Sequence, residues 1–398
     1  MRGSPASRTG FGCAAVPRTA SPSIASIASI VIIIATAMMM IMPKAATPRT
    51  ASPQVLPPPP HAQRGLPPGG RTNGRPPGQG AVWTGVSRVV AVGDLHGAYD
   101  EFAAILQGTG LVGPDLHWIG GQAHLVQMGD VLDRGPRAKD IFDLLRRLEA
   151  EAAAAGGRVH MLIGNHEAMA LMGLSFDYKD FVSPEQFIAF VPERLRRRAE
   201  TEFRRKNGPG ADVKKMWAKA MPTNSSAQAA YFEFLRRDYG RWIASHDTII
   251  RIDDTVFVHG GLNDRYAAWP FERINRTVQD ELLSFVTGLA RPTRVLYDSL
   301  GPLWYRDLAI KPEGVMAKEL DAILAAVKAK VMVIAHTPTG GSRTLDGLSR
   351  FGGKVWIIDT GIWDGIAGRV GALIIEDGIH YTVWGKDDGS RANGPIGD

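Results

Sequence analysis

Short apolar runs, each followed by a polar turn, recur in the first half of the chain. Residues 89–92, 125–128 and 160–163 are runs of this kind, and Gly-Asp or Gly-Asn follows each of them. The stretches between them, residues 99–107 and 138–155, carry Leu and Ile at spacings of three and four, which is typical of helices. This alternation predicts a largely parallel sheet whose carboxyl-end loops bring the polar residues together in one crevice.

The pattern changes over residues 174–242, where helix formers dominate and basic residues are concentrated at 194–198 and 204–206. We predict a helical insertion here, whose basic residues either form a solvated face or help to select an anionic substrate. Strand-like runs return at residues 255–258 and 331–335.

Two further apolar runs, residues 355–359 and 372–376, lie near the C-terminus. Residues 361–371 between them are rich in Gly, so we expect the two runs to be neighbouring strands joined through this segment. The chain as a whole therefore predicts an α/β class of fold.

The positive charge of the chain could suggest a nucleic-acid partner, but much of it lies outside the predicted fold. Residues 1–80 hold eight of the 46 Lys and Arg and none of the 40 Asp and Glu, which leaves 38 basic and 40 acidic residues in the remainder. Nucleic-acid binding normally needs a clustered basic face on the folded domain. We therefore expect no nucleic-acid partner.

Residues 24–42 form an apolar segment without charge, Pro or Gly, and Arg2, Arg8 and Arg18 precede it. Its length is close to the roughly 20 residues that cross a bilayer as a helix, and the preceding Arg residues would hold the N-terminus in the cytoplasm. We expect residues 1–46 to be a cleaved signal peptide or a retained membrane anchor. Either would place the rest of the chain in the periplasm or at the inner membrane facing it.

Residues 47–85 are dominated by Pro and Gly, and we predict a disordered linker there, with a Pro-rich docking ligand as the other interpretation. Residues 86–390 then form the folded domain, including the insertion. The single cysteine, Cys13, precedes the apolar segment, so the exported part would have no disulfide.

Five apolar runs end in residues that can bind a metal ion. In chain order they carry GDLHG (93–97), GDVLDRG (129–135), GNHE (164–167), HGG (259–261) and HTP (336–338). Taken singly, Gly-Asp is a common turn after a strand, and a lone His is more often hydrogen-bonded than ligating. Taken in order, their carboxylate, imidazole and amide groups suit Mn, Fe or Zn, and the absence of thiolates argues against a purely structural zinc site.

This ordered set resembles the motifs of the calcineurin-like metallophosphoesterase superfamily and, within it, the PPP-type phosphoprotein phosphatases. The resemblance extends over about residues 89–336. The helical insertion and the PLWYR segment (302–306) are most similar to the branch called Shewanella-like protein phosphatases. The resemblance implies a central β-sandwich flanked by helices, and hydrolysis of phosphate monoesters by direct attack of a hydroxide that bridges two divalent metal ions (Mn, Fe or Zn).

The resemblance also implies individual roles. Six residues would be metal ligands: Asp94 and His96 at the first ion, Asp130 bridging both, and Asn165, His259 and His336 at the second. His166 would protonate the leaving oxygen, with Asp133 orienting its imidazole. Arg134 and Arg306 would bind phosphate oxygens, although Arg306 could instead only pack on Trp304.

Other polar residues of the region are given supporting roles. We expect Glu167 to support its loop rather than to contact substrate. Five histidines outside the motifs are interpreted as structural or exposed: His117, His124, His160, His246 and His380.

Three functions remain open from the sequence. The first is a phosphatase acting on phosphorylated proteins, at Ser/Thr or Tyr, or on small phosphoesters. The second is a hydrolase of the diadenosine tetraphosphate type, which export of the domain disfavours because such substrates are cytoplasmic. The third is a membrane-anchored binding protein with a decayed metal site, which the full set of ligands disfavours.

Overall fold

The computed structural model describes residues 80–177, 181–223, 225–289, 293–339, 348–364 and 371–384. The predicted membrane segment, residues 24–42, and residues 47–79 of the predicted linker lie outside these ranges. None of the helices within them combines the length and the apolar character needed to cross a bilayer.

The strands, numbered in chain order, are β1 Val82–Trp83, β2 Arg88–Val92, β3 His124–Gln127, β4 Arg158–Met161, β5 Ile249–Ile252, β6 Thr255–Val258, β7 Val331–Ile334, β8 Ser349–Arg350, β9 Val355–Ile357, β10 Gly371–Glu376 and β11 Ile379–Trp384. The α-helices are α1 Tyr99–Gly108, α2 Ala138–Ala154, α3 Asn165–Met172, α4 Pro184–Phe190, α5 Glu193–Asn207, α6 Val213–Thr223, α7 Ser225–Leu235, α8 Arg241–Ile243, α9 Asp264–Ala267, α10 Phe271–Val286, α11 Asp307–Ile310 and α12 Glu313–Ala326. Helices α4 to α7 lie within residues 174–242, where we predicted a helical insertion, and α8 overlaps the end of this range.

The strands form two sheets. One has the order β11-β10-β2-β3-β4 and the other β1-β5-β6-β7-β9-β8. In the first sheet β2, β3 and β4 are parallel, and in the second β6, β7 and β9 are parallel. Each sheet therefore contributes the carboxyl ends of three parallel strands to one edge, and the predicted α/β fold with a central sandwich is confirmed.

The central strands are buried on both faces. Val89 and Ala91 of β2 belong to a hydrophobic cluster shared with Phe257 of β6, so these side chains lie between the sheets. Val90 belongs to a second cluster that includes Phe102 of α1 and faces the helices. Because neither face of β2 is solvated, this strand is a continuous apolar run rather than an alternating one, and each large apolar side chain stabilises the fold by about 1.5–3 kcal/mol.

The two C-terminal runs are not paired with each other, and our prediction on this point was wrong. β9 lies beside β7, with Val333 opposite Trp356, whereas β10 lies beside β2, with Ile374 opposite Val90. The actual hairpin partner of β10 is β11. The chain therefore passes from one sheet to the other between β9 and β10. Local composition does not reveal this, because each of the two strands pairs with a strand that is more distant in the sequence.

The fold also begins earlier than predicted. β1 lies within the predicted linker, residues 47–85, yet it pairs in parallel with β5, Val82 opposite Arg251. The Trp83 ring packs edge-on against His124 and His160, with ring centroids 5.4 and 5.2 Å away. A two-residue strand next to a Pro-rich segment is too short to produce a sequence pattern of its own.

An ion pair joins α2 to the segment that follows α8. His246 Nε2 lies 2.7 Å from Glu149 Oε1, and Trp242 Nε1 donates a hydrogen bond of 3.0 Å to the same carboxylate. Burial opposes protonation of the imidazole, but the Glu149 carboxylate outweighs it and raises the pKa of His246 above 6.5.

We expect Glu149→Gln to lower the free energy of unfolding by about 1.5–3 kcal/mol near pH 6, because a charge-assisted hydrogen bond is lost. The folded-state pKa of His246 is above the unfolded value of 6.5, so the pair stabilises fully below that pH and loses its effect as pH rises through the folded pKa. Urea unfolding near pH 6 and pH 8 would measure this.

Asp140→Asn is the matched control, because it breaks an exposed ion pair with Arg137, which does not titrate in this range. A destabilisation by Glu149→Gln that was equal at the two pH values would contradict the assignment.

Candidate metal centre and active site

The loops after the parallel strands of both sheets line one cavity of about 210 Å³. Eight of the ten predicted site residues line it: Asp94, His96, Asp130, Arg134, Asn165, His166, Arg306 and His336. The other two, Asp133 and His259, are fully buried directly behind its wall. A larger cavity of about 310 Å³ beside Trp83 and Trp242 contains none of the ten. The predicted residues therefore form a single site, although they are spread over 243 positions of the chain, from 94 to 336.

Asp130 lies at the centre of this site. Its Oδ2 atom is 3.4 Å from His259 Nε2, 3.8 Å from His166 Nε2 and 3.9 Å from His96 Nε2. Its Oδ1 atom accepts a hydrogen bond of 2.9 Å from the backbone N–H of His166. Burial alone would favour the neutral acid, but protonated His259 and His166 hold the pKa of Asp130 well below its usual value.

The orientation of the histidines suits metal ligation. Nδ1 of His96 lies 2.8 Å from the Leu132 carbonyl oxygen, and Nδ1 of His259 lies 2.8 Å from that of Met128. Since a carbonyl only accepts, these contacts place a proton on Nδ1 of each ring and turn its Nε2 atom toward Asp130 Oδ2, which lies 3.9 Å and 3.4 Å away. A backbone carbonyl behind a histidine is the usual way in which proteins orient this type of metal ligand.

The ring nitrogen Nε2 of His336 is buried, and it has no hydrogen-bond partner within the part of the chain that the structure describes. Burial, assisted by the charges of His259 and Arg306, lowers the pKa of His336 to about 2. Burial, assisted by His166, likewise lowers the pKa of His96 to about 3. Both rings are therefore neutral, which is the form that binds metals.

Carboxylates are crowded on the other side of the cavity. Burial, then repulsion from Asp359 and Asp130, raises the pKa of Asp94 well above its usual value, and burial also raises the pKa of Asp359. Buried carboxylates in such proximity need compensating positive charge, which a cation supplies. Asn165 adds an amide oxygen 2.9 Å from His259 Nε2.

This donor set fits divalent cations, with imidazole, carboxylate and amide groups and no thiolate among them. Two groups have ligand atoms within 4.8 Å of one another: His96, Asp130 and His166, and Asp130, His259 and His336. Asp130 is shared by both, as its predicted bridging role requires. The assignment of the individual ligands remains a prediction.

Asp359 was not among the predicted residues. It is 2% exposed and lines the cavity next to Asp94, with which it shares a side-chain hydrogen bond. Its Oδ1 accepts from the backbone N–H of Gly361 at 3.1 Å. The sequence contained a pattern that could have indicated it, because Asp359 follows an apolar run as Asp94 and Asp130 do, although without a glycine in between.

His166 and Asp133 form a buried pair suited to proton transfer. His166 Nδ1 lies 2.7 Å from Asp133 Oδ2. Burial lowers the pKa of His166, but the carboxylates of Asp130 and Asp133 outweigh it and raise that pKa above its usual value. The raised pKa favours the protonated imidazole, and its Nε2 side lies at the cavity, which suits a general acid.

The two arginines are held in different ways. The Arg134 guanidinium lies 5.2 Å from the centre of the Phe181 ring and 4.7 Å from that of Trp363, and its buried Nε atom has no hydrogen-bond partner among the described residues. Arg306 donates 2.7 Å and 3.1 Å hydrogen bonds to the His336 carbonyl and to Thr337 Oγ1. Both guanidinium groups line the cavity and can present a fork of donors to an anion.

The backbone of the site is strained. Five of its non-glycine residues have positive φ: His96 (43°), Asp130 (54°), Asp133 (72°), Arg134 (66°) and His336 (64°). Each such residue costs of order 1–3 kcal/mol and persists only where its surroundings enforce it. Concentration of this strain at one cavity is typical of a functional site.

Glu167 helps to hold this strained backbone in place. Its carboxylate accepts four backbone N–H bonds of 2.8–3.1 Å, from Asp130, Val131, Leu132 and Gly164. A Cβ at Gly164 would lie 2.2 Å from Asp130 Oδ1, so only glycine permits this approach of the two loops. The position of Glu167 is thus the supporting one expected from the sequence.

The chain belongs to the calcineurin-like phosphoesterase family, whose model matches residues 87–357. It is 32% identical over 217 residues to Shewanella-like protein phosphatase 2 of Arabidopsis thaliana, covering 52% of this chain and 54% of that protein. It is 26% identical over 267 residues to Shewanella-like protein phosphatase 1 of Plasmodium berghei (strain Anka), covering 64% and 62%. The chain thus spans a little over half the length of these relatives. The family assignment made from the motifs is confirmed.

A solved structure shares the fold. The cold-active protein-tyrosine phosphatase of a psychrophilic Shewanella species superposes with a TM-score of 0.55 at 25% identity, covering 79% of this chain and 82% of that one.

Proposed function

We propose that this protein is a metal-dependent phosphatase that hydrolyses phosphate monoesters of proteins. The observation that carries the proposal is the convergence of three imidazoles on Asp130 Oδ2, together with two arginine side chains that line the same cavity as Asp130. The family and the protein phosphatases among its relatives support this proposal.

The residues of the cavity divide the chemistry between them. Divalent cations held by the Asp, His and Asn groups would supply Lewis-acid activation of the phosphate and of the attacking water. Arg134 and Arg306 hold the phosphate oxygens and balance the charge that builds on them in the transition state. His166 gives its Nε2 proton to the leaving oxygen, while Asp133 holds the Nδ1–H and stabilises the imidazolium before transfer.

We also propose that phosphotyrosine is preferred to phosphothreonine. Three aromatic side chains, Phe181, Trp304 and Trp363, line the cavity together with Met169. Such walls bury an aryl leaving group and pack against its ring, which they cannot do for a short alkyl side chain. The name of the Shewanella structure as a protein-tyrosine phosphatase supports the same preference.

The test is a comparison of substrates with the full-length protein and Mn²⁺. We expect kcat/KM for a phosphotyrosine peptide to exceed that for the phosphothreonine peptide of the same sequence by about two- to tenfold, since an aromatic contact is worth about 0.5–1.5 kcal/mol beyond its area burial. Para-nitrophenyl phosphate and diadenosine tetraphosphate complete the set.

Preference for the dinucleotide would contradict the protein-phosphatase proposal and favour the nucleotide-hydrolase alternative. Equal rates for the two peptides would leave the phosphatase proposal intact and contradict the role of the aromatic walls. A protein carrying Asp130→Asn shows the background of the assay.

A further inference from the structure

The helical insertion contacts the strained turn that carries Asp133 and Arg134. The backbone N–H of Arg134 donates to the Phe181 carbonyl oxygen, and Ser183 Oγ donates to the Gly135 carbonyl oxygen at 3.2 Å. Phe181 and Ser183 immediately precede α4. The insertion therefore packs against the site through main-chain hydrogen bonds as well as through the Phe181 ring.

Gln186, in the first turn of α4, forms two hydrogen bonds with Asp133. Its Oε1 accepts from the backbone N–H of Asp133 at 2.8 Å, and its Nε2 donates to Asp133 Oδ1 at 3.1 Å. One amide thus binds both the main chain and the carboxylate of the same residue. Asp133 Oδ2 is left for His166 Nδ1, at 2.7 Å.

The amide group of Gln186 is itself fixed. The side chain is fully buried, and its Nε2 also donates to Tyr231 Oη in α7 at 2.8 Å. Its backbone N–H donates to Ser183 Oγ at 3.1 Å, which caps α4. The next residue, Phe187, stacks on Tyr231 with ring centroids 5.7 Å apart. Gln186 is therefore presented to Asp133 by two helices of the insertion.

We propose that Gln186 is a positioning residue for proton transfer, through which the helical insertion keeps the Asp133 carboxylate aligned with His166. The inference rests on the proposed phosphatase function. Asp133 has φ of 72°, a conformation that a non-glycine residue leaves when its restraints are removed. Without the amide, the carboxylate loses its second partner and can rotate away from Nδ1, so that His166 is no longer held in line with the leaving oxygen.

Gln186→Met tests this in the full-length protein, because it keeps the length of the side chain and removes both hydrogen bonds to Asp133. Proton donation matters little for an ester whose leaving group is a stable anion and matters greatly for an alkyl ester. We expect kcat for an alkyl phosphate to fall by about 30- to 100-fold, and kcat for 2,4-dinitrophenyl phosphate to fall by less than about threefold, since loss of a supporting partner typically costs about 10- to 100-fold.

Tyr231→Phe is the matched control. It removes one acceptor from Gln186 Nε2 and leaves both bonds to Asp133, so we expect less than about a threefold change with either ester. An equal fall of both esters in Gln186→Met would overturn the proposal, because it would indicate general loosening of the insertion.

A second readout does not depend on turnover. In the metal-free wild type we expect a downfield proton resonance from the His166 Nδ1–H that is hydrogen-bonded to Asp133, and we expect it to be lost or shifted upfield in Gln186→Met but retained in Tyr231→Phe. An unchanged resonance in Gln186→Met would overturn the proposal even if the wild type hydrolysed no phosphoester, an outcome that would separately contradict the proposed function. If Gln186→Met does not fold, Gln186→Glu replaces it, because it keeps the acceptor for the Asp133 N–H but places an oxygen against Asp133 Oδ1.

Discussion

Asp130→Asn is expected to abolish turnover of every phosphoester while leaving the fold intact. Oδ1 of the new amide still accepts the backbone N–H of His166, whereas the atom facing the three imidazoles becomes an NH₂ group without a lone pair. Both clusters of potential metal ligands in the structure include Asp130. Loss of Lewis-acid stabilisation worth about 4 kcal/mol corresponds to at least about a thousand-fold fall in kcat/KM.

Metal content by mass spectrometry and turnover of para-nitrophenyl phosphate are the measurements. We expect the variant to bind both ions more weakly than the wild type. Asp321→Asn, which removes an exposed carboxylate paired with Lys354, is the control and should leave both quantities unchanged. A variant with normal metal content and normal turnover would show that Asp130 does not bridge the site.

His166→Asn is expected to keep the metal and to lose the acid. A positioned general acid contributes about 10²- to 10⁴-fold, and we expect an alkyl phosphate to lose about 100-fold or more and a dinitrophenyl ester less than about tenfold. The reason is geometric: Nδ1 of His166 is engaged by Asp133 at 2.7 Å, and its Nε2 is 3.8 Å from Asp130 at the cavity wall.

This experiment also decides between two roles for His166, because its Nε2 is close enough to Asp130 for the residue to be grouped with the metal ligands. Loss of one metal ion in His166→Asn would identify it as a ligand and remove it as the acid. His117→Asn provides the control, since His117 is an exposed histidine paired with Glu151 outside the site.

Most of the candidate site could be predicted because its residues follow a rule of the sheet. Asp94, Asp130 and Asn165 each come directly after an apolar run and a glycine, and the carboxyl ends of parallel strands meet at one edge. Asp359 follows the same rule without the glycine and was missed. The recognition of the five motifs in order supplied the roles, which the strand pattern alone does not distinguish.

Gln186 illustrates a residue that the sequence could not identify. It lies within a helix rich in apolar residues, and nothing in its neighbourhood differs from an ordinary helical turn. Its contact with Asp133 joins positions 53 residues apart and depends on how α4 packs against the turn after β3. The same applies to Phe181 and Trp363, which become neighbours of Arg134 only through packing.

The sequence by itself determined the family, the α/β class, the strands that lead into the site and ten residues that converge there, because strand ends and metal-binding motifs are local patterns. The tertiary structure alone decided how the C-terminal strands pair, that Asp359 lines the cavity and that the insertion forms hydrogen bonds with Asp133. These features depend on which surfaces, distant in the sequence, pack against each other. The free energy that stabilises such contacts comes from residues far apart in the chain, so no local pattern predicts them.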